Sequence, residues 1–159
     1  MLKNRHALSK REIKNLITRV EDIYACGFPS YEMVEVGEAF GLKIILVDGS
    51  PDFIILDDTI LFTVSAVERY EPGKGFVVVD KGAVRFVSRG ADIMAPGVVD
   101  ADLGIRKGDP VWVKEETHGK VIAVGISLMD GEEMIELDKG KAVRNVHWVG
   151  DRIWKLVHG

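Results

Sequence analysis

A hydrolase or transferase needs a nucleophile beside a base, a pair of converging carboxylates, or a metal. The sequence offers few of these. Its histidines are His6, His118, His147 and His158. Two lie near the chain ends and His118 falls at a predicted hairpin tip. His147, in Val146-His147-Trp148, is the one expected in packed surroundings, and no serine or cysteine shares its motif. It therefore reads as a satisfied core or rim histidine rather than a catalytic base. Cys26 precedes Gly27 at the end of a predicted helix. The helix dipole there raises a thiol pKa, so a buried structural thiol is expected. With one cysteine and no Cys-x-x-Cys or His-x-x-x-His spacing, no metal cluster is expected. Asp57-Asp58, Glu115-Glu116 and Glu132-Glu133 are neighbours at predicted turns or strand ends, and adjacent strand residues face opposite ways. Neither Gly-x-Gly-x-x-Gly nor a P-loop sequence is present. An enzyme is disfavoured, and no cofactor is expected.

The elements that would position a site come in two groups. The 159 residues are 47% hydrophobic and 29% charged, an ordinary globular composition that allows one domain or two small ones. No apolar run approaches the ~20 residues that cross a bilayer, and the polar start Met1-Leu2-Lys3-Asn4-Arg5-His6 is no secretory signal. A soluble chain of a reducing cytoplasm, without membrane contact, is the expectation. Ser9-Lys10-Arg11-Glu12 has the form of a capping box, and Ile13, Leu16, Ile17, Val20 and Ile23 then follow at helical spacing, with Gly27 and Pro29 as the stop. Lys10, Arg11, Lys14 and Arg19 lie off that stripe and make one flank positive. After Gly41 the period changes. Leu42 to Val47, Phe53 to Leu56 and Ile60 to Val64 read as three antiparallel strands, followed by a helical turn over Ser65 to Tyr70. Glu71-Pro72-Gly73-Lys74-Gly75 is linker-like, which divides the chain into domains 1–73 and 74–159. The second part reads as short strands between glycine turns: a hairpin over Phe76–Val79 and Val84–Val87, another over Val111–Lys114 and Val121–Ser127, then Met134–Leu137, Val143–Val149 and Ile153–Val157. Ala91 to Met94, behind Gly90, is the one helical stretch expected there. A small barrel or sandwich follows. The net charge of −4 argues against a uniformly basic nucleic-acid binder, but it is uneven: the first 19 residues carry six cations and one acid.

The segment Asp80-Lys81-Gly82-Ala83-Val84-Arg85-Phe86-Val87-Ser88-Arg89-Gly90-Ala91-Asp92-Ile93-Met94-Ala95-Pro96-Gly97-Val98 resembles the PUA domain, a small β-barrel named for pseudouridine synthases and archaeosine transglycosylases. Gly119-Lys120-Val121-Ile122-Ala123-Val124-Gly125-Ile126-Ser127 is similar to that family's middle hairpin, and His147-Trp148-Val149-Gly150-Asp151-Arg152-Ile153-Trp154 to its closing strand. With a helix-first amino-terminal part and Tyr70-Glu71-Pro72 before it, the chain resembles the malignant T-cell-amplified sequence proteins and their archaeal relatives, in which a pre-PUA domain precedes the PUA domain. The resemblance implies an α+β pre-PUA domain followed by a mixed PUA pseudo-barrel. It implies a noncatalytic RNA-binding protein of translation initiation or ribosome recycling, acting on ribosomal or transfer RNA and the small ribosomal subunit. A translation factor related to density-regulated protein is the implied partner. An accessory subunit of an RNA-modification enzyme, or a module docking a translation factor, are the alternatives. The resemblance places Lys81, Arg85 and Arg89 as phosphate contacts. It places Gly90, Ala91, Ile93, Met94, Pro96 and Gly97 as the close-approach surface for ribose and base. A Gly90-Ala91 helix start would add backbone N–H groups for an anion. The competing reading is that Arg85 and Arg89 only solvate a barrel and that Gly90 is a cap. Trp112, Trp148 and Trp154 alternate with valine or isoleucine and are expected in the core rather than stacked on bases. The Lys10, Arg11, Lys14, Arg19 flank is either a second RNA contact or a solvated face.

Overall fold

In the computed structural model, which describes residues 1–159, the capping box forms as the sequence predicts. Ser9 Oγ accepts from the Glu12 N–H at 3.1 Å and the Glu12 carboxylate accepts from the Ser9 N–H at 3.0 Å. Helix α1 runs Lys10–Tyr24 and buries Leu16, Val20 and Tyr24. It stops two residues before Gly27, because Ala25 already adopts the left-handed conformation at φ 49°. Strands β1 (Lys3–Ala7), β2 (Val34–Ala39), β3 (Leu42–Val47), β4 (Ser50–Leu56) and β5 (Thr59–Phe62) make one antiparallel sheet in that order. The expectation of three strands here is short by two. β1 is a polar edge strand exposed along its length, and Glu35, Gly37 and Glu38 interrupt the apolar pattern of β2, so neither gives a period-two signal. The helical turn after β5 is present, as a 3₁₀ turn over Val64–Ala66 and α2 over Val67–Tyr70. Asp52, fully buried, anchors it by accepting from Tyr70 Oη at 2.6 Å and pairing with Arg69.

The second sheet is mixed and nearly closed. It contains β6 (Phe76–Val79), β7 (Ile93–Met94), β8 (Val98–Ala101), β9 (Pro110–Glu115), β10 (Val121–Ser127) and β11 (Lys141–Trp148), in the order β7-β11-β10-β9-β6-β8. β6 and β9 run parallel and every other pair is antiparallel. Three segments expected as strands are helices: α3 (Lys81–Val87), α4 (Gly131–Glu136) and α5 (Arg152–His158). The physical reason is common to all three. Each is opened by an aspartate, Asp80, Asp130 or Asp151, whose carboxylate accepts a backbone N–H of the first turn. An aspartate near glycine also signals a turn, and the strand pattern was read across it. Conversely, Ala91 to Met94 is not helical, since Ile93 and Met94 pair with β11.

Two cores form. The second, around Val77, Val113, Ile122, Ala123 and Met134, fills the barrel. The first joins α1, α2 and the five-stranded sheet, and it also takes in Trp112, Val121, Val124 and Ile153 from the carboxyl-terminal half. Trp112 is therefore buried, but in the amino-terminal core rather than the expected barrel core, and its indole N–H donates to the Lys74 carbonyl at 2.8 Å. The linker-like stretch is tied down: the N–H groups of Gly73 and Lys74 both donate to the Tyr24 carbonyl, at 2.7 and 3.1 Å.

His147 is fully buried, and its Nδ1–H donates to both Asp151 carboxylate oxygens at 2.9 Å. Asp151 also accepts from the Trp148 and Trp154 N–H groups, at 3.1 and 2.8 Å. Burial by itself would raise the Asp151 pKa, but these donors outweigh it and hold the group below the usual aspartate range. A carboxylate depressed in the folded state stabilises the protein above its unfolded pKa, and that stability is lost as the pH falls through the folded pKa. Asp151→Ala removes both the helix cap and the partner of a buried imidazole. It is expected to cost about 3 kcal/mol at neutral pH. Urea denaturation across an acidic pH series would check this: the gap between the variant and the parent should narrow as the pH falls. A gap that stays constant through acid would contradict the assignment.

Candidate nucleic-acid interface

On helix α3, residues 81 and 85 are one turn apart, and Arg89 lies one turn further, just past the helix end. The helix thus sets Lys81 and Arg85 one above the other, at a rise of about 1.5 Å per residue rather than the ~3.3 Å of a strand, with Arg89 following beyond its end. All three side chains are exposed and none forms an ion pair. The Arg85 guanidinium lies 4.8 Å from the Phe86 ring centre, and Phe86 is itself 51% exposed. A half-exposed aromatic carrying an arginine on its face is a platform on which a flat base can stack.

Beside this row is a concavity of about 670 Å³. Gly82, Ala83, Phe86 and Val87 of α3 line one wall; Ala91, Ile93, Met94, Pro96 and Gly97 line the other. Met94 is 46% exposed, whereas Ile93 is buried at 1% and contributes the floor. The concavity is lined wholly by residues 80–97 and Lys141, so the amino-terminal half does not close it. Gly97 has room for α3 to approach because its Cα faces Ala83 at a distance a side chain would crowd.

Gly90 has a different role from the one expected. It adopts φ +90°, and a Cβ there would come 2.7 Å from the Trp148 ring. It ends α3 rather than starting a helix: the Gly90 and Ala91 N–H groups already donate to Val87 and Phe86 carbonyls. Those two N–H groups are therefore not free to receive an anion. Trp148 is half-buried under Gly90, and Trp154 belongs to α5, stacked on the His158 ring at 3.9 Å.

Sequence reasoning missed Phe86, Lys141 and Asp92. Phe86 is three residues from Ala83 and lines the same wall, a grouping visible once the segment is taken as a helix. Lys141 comes from β11 and pairs with Asp92 at 3.1 Å. Burial would raise the Asp92 pKa, but the Asn145 N–H and the Lys141 ammonium hold it below the usual range. Of the amino-terminal flank, Lys10, Arg11 and Lys14 are exposed on α1, while the Arg19 guanidinium donates to the Asp58 carbonyl at 2.5 Å. Those residues lie on the other half of the molecule, apart from the α3 concavity. No group of three or more His, Cys, Asp or Glu side chains is arranged to hold a metal.

The PUA domain family model matches residues 75–149, and a model described as a domain of unknown function, DUF1947, matches residues 4–70. The chain is 43% identical to the Methanocaldococcus jannaschii protein MJ1432 over 98% of both chains. The crystal structure of the Pyrococcus horikoshii hypothetical protein PH0734.1 superposes with a TM-score of 0.85 at 38% identity, covering 96% of this chain and 99% of that one. The chain belongs to the PUA-domain proteins that carry a pre-PUA domain. It shares that family with translation machinery-associated protein 20 and the malignant T-cell-amplified sequence proteins. Translation machinery-associated protein 20 of Saccharomyces cerevisiae is 28% identical over 92% of this chain and 85% of its own. The α3 concavity therefore lies in the PUA domain, and the helix-first sheet is the pre-PUA part. The PUA domain implies RNA binding, and the relatives place the family with the translation machinery.

Proposed function

We propose that this protein is a noncatalytic RNA-binding factor of cytoplasmic translation, divided at residues 73 and 74, which holds ribosomal or transfer RNA at the α3 concavity during initiation or recycling on the small ribosomal subunit. The observation that carries the reading is the row Lys81, Arg85, Arg89 with no carboxylate partner, standing beside an open apolar hollow. Cations left unpaired on a net acidic protein are available to phosphates. Phe86, Met94 and Pro96 then offer apolar contact to unstacked bases. The likeness to translation machinery-associated protein 20 supports the assignment to translation, and a protein partner related to density-regulated protein goes with that likeness.

The test is the salt dependence of binding to a short single-stranded RNA and to protein-stripped small-subunit RNA. Arg85→Ala and Arg89→Ala are each expected to lower the slope of log affinity against log salt by about one, without altering stability. A salt-independent affinity, or slopes unchanged in both variants, would reject the site. If both RNAs bind with the parent slope while Lys10→Ala and Lys14→Ala reduce it, the contact belongs to α1 instead.

A further inference from the structure

One acidic run lies outside the residues that the RNA reading uses. From Leu128 to Asp138 the chain carries Asp130, Glu132, Glu133, Glu136 and Asp138 and no cation. This run forms α4. Asp130 and Glu133 are spent on the capping box, and Asp130 also accepts from the Lys107 N–H at 2.9 Å. Glu132, Glu136 and Asp138 are exposed and enter no ion pair.

Large apolar side chains stand in solvent on and beside this helix: Ile135 is 42% exposed, Leu137, just past the helix end, 43% and, in the adjoining loop, Leu103 56%. The packing brings the loop and the helix together. The Gly131 N–H donates to the Ile105 carbonyl at 3.0 Å, and the Gly131 Cα is so close to Asp102 that a Cβ would come 2.2 Å from its carbonyl oxygen. The loop that carries Leu103 therefore lies on the α4 face of Gly131, and Ile135 is one turn further along that face. Met134, about 100° round the helix from Ile135, is fully buried in the barrel core. Exposed isoleucine and leucine beside uncompensated carboxylates cost solvation energy and gain nothing in the isolated chain.

We propose that this face of α4 docks a lysine- or arginine-rich segment of a partner protein that presents apolar side chains at helical spacing. The charge decides the class of occupant: RNA and anionic lipid are both repelled by Glu132, Glu136 and Asp138, whereas a basic amphipathic segment satisfies the carboxylates and covers the apolar side chains together. The proposal does not rest on RNA binding at α3, although α4 packs against the Ala95–Gly97 turn that borders the concavity.

The test is titration of the full ¹⁵N-labelled chain with a synthetic amphipathic helical peptide of lysine and leucine, followed by amide chemical shifts. Saturable shifts confined to residues 102–104 and 131–138 are expected. Ile135→Ser and Glu136→Lys should each weaken binding about tenfold, while Glu68→Lys on α2 leaves it unchanged. A peptide of the same composition with its leucines scattered should bind at least about tenfold more weakly. Shifts spread over all the acidic surface, equal binding of the scattered peptide, no saturable binding, or saturable shifts at residues 103 and 132–138 from a short single-stranded RNA with none at residues 80–97 would each overturn the proposal. Loss of RNA binding in the arginine variants with peptide binding intact would reject nothing here, so the two sites fail separately.

Discussion

Glutamate at both position 85 and position 89 is expected to weaken binding of a short single-stranded RNA about a hundredfold at low salt. Both guanidinium groups are exposed and without an ion-pair partner, so the substitutions break no salt bridge; position 85 gives up only its stacking on Phe86. Reversal does more than remove two phosphate contacts. It places two carboxylates beside the hollow in which the strand would lie, near Phe86 and Lys141. The effect should shrink as salt is added, because screening reduces repulsion as well as attraction. Fluorescence anisotropy at two ionic strengths, with urea denaturation as a control for folding, would check it. A loss of affinity that does not depend on salt would mean that the arginines act through shape, and a stability loss above about 1 kcal/mol would mean that they hold the fold.

Gly125→Ala is expected to cost at least about 3 kcal/mol of stability, the largest effect of any single methyl addition in this protein. Gly125 lies at a register shift between β10 and β11, and a Cβ there would stand 2.0 Å from the Arg144 carbonyl oxygen. The obstacle is backbone, which cannot rotate aside as a side chain does. Relief requires β11 to move away from β10, and β11 carries Lys141 of the concavity, Asn145, His147 and the Trp148 that seats Gly90. Guanidinium denaturation followed by tryptophan fluorescence would report the loss. Gly119→Ala is the contrast: unlike Gly125, that glycine has a positive φ, but it has open space around it, so only backbone strain of about 1 kcal/mol is at stake.

The helix expected at residues 9–26 and the strands β3, β4, β5, β9, β10 and most of β11 were read from local signals that the fold left intact. A capping box and an apolar stripe at a 3.6 period are properties of neighbouring residues, and so are short apolar runs between glycine turns. The readings that failed shared one ambiguity. Asp80-Lys81-Gly82 and Gly150-Asp151 carry residues that serve both turns and helix starts, and Val84-Arg85-Phe86-Val87 satisfies either a strand or one helical turn. The residues themselves do not distinguish the two until a neighbour does. Here Val87 goes into the barrel core and Asp80 caps the Ala83 N–H at 2.9 Å, which settles the segment as helix.

The types and order of residues alone determined that the chain has a capped amphipathic helix, a β-rich second half with a PUA-like segment, and cations at positions 81, 85 and 89; that these are unpaired is read from the structure. Tertiary structure decided how they meet. Whether Gly90 is a helix start or a seat for an indole depends on Trp148, which reaches it only when β11 closes on β7. Lys141 joins the concavity, Trp112 leaves the barrel for the pre-PUA core, and Arg19 turns from a free cation into a hydrogen-bond donor to Asp58 for the same reason. Each of these depends on groups far apart in sequence coming within a few ångströms, and that proximity is a property of packing rather than of any local pattern.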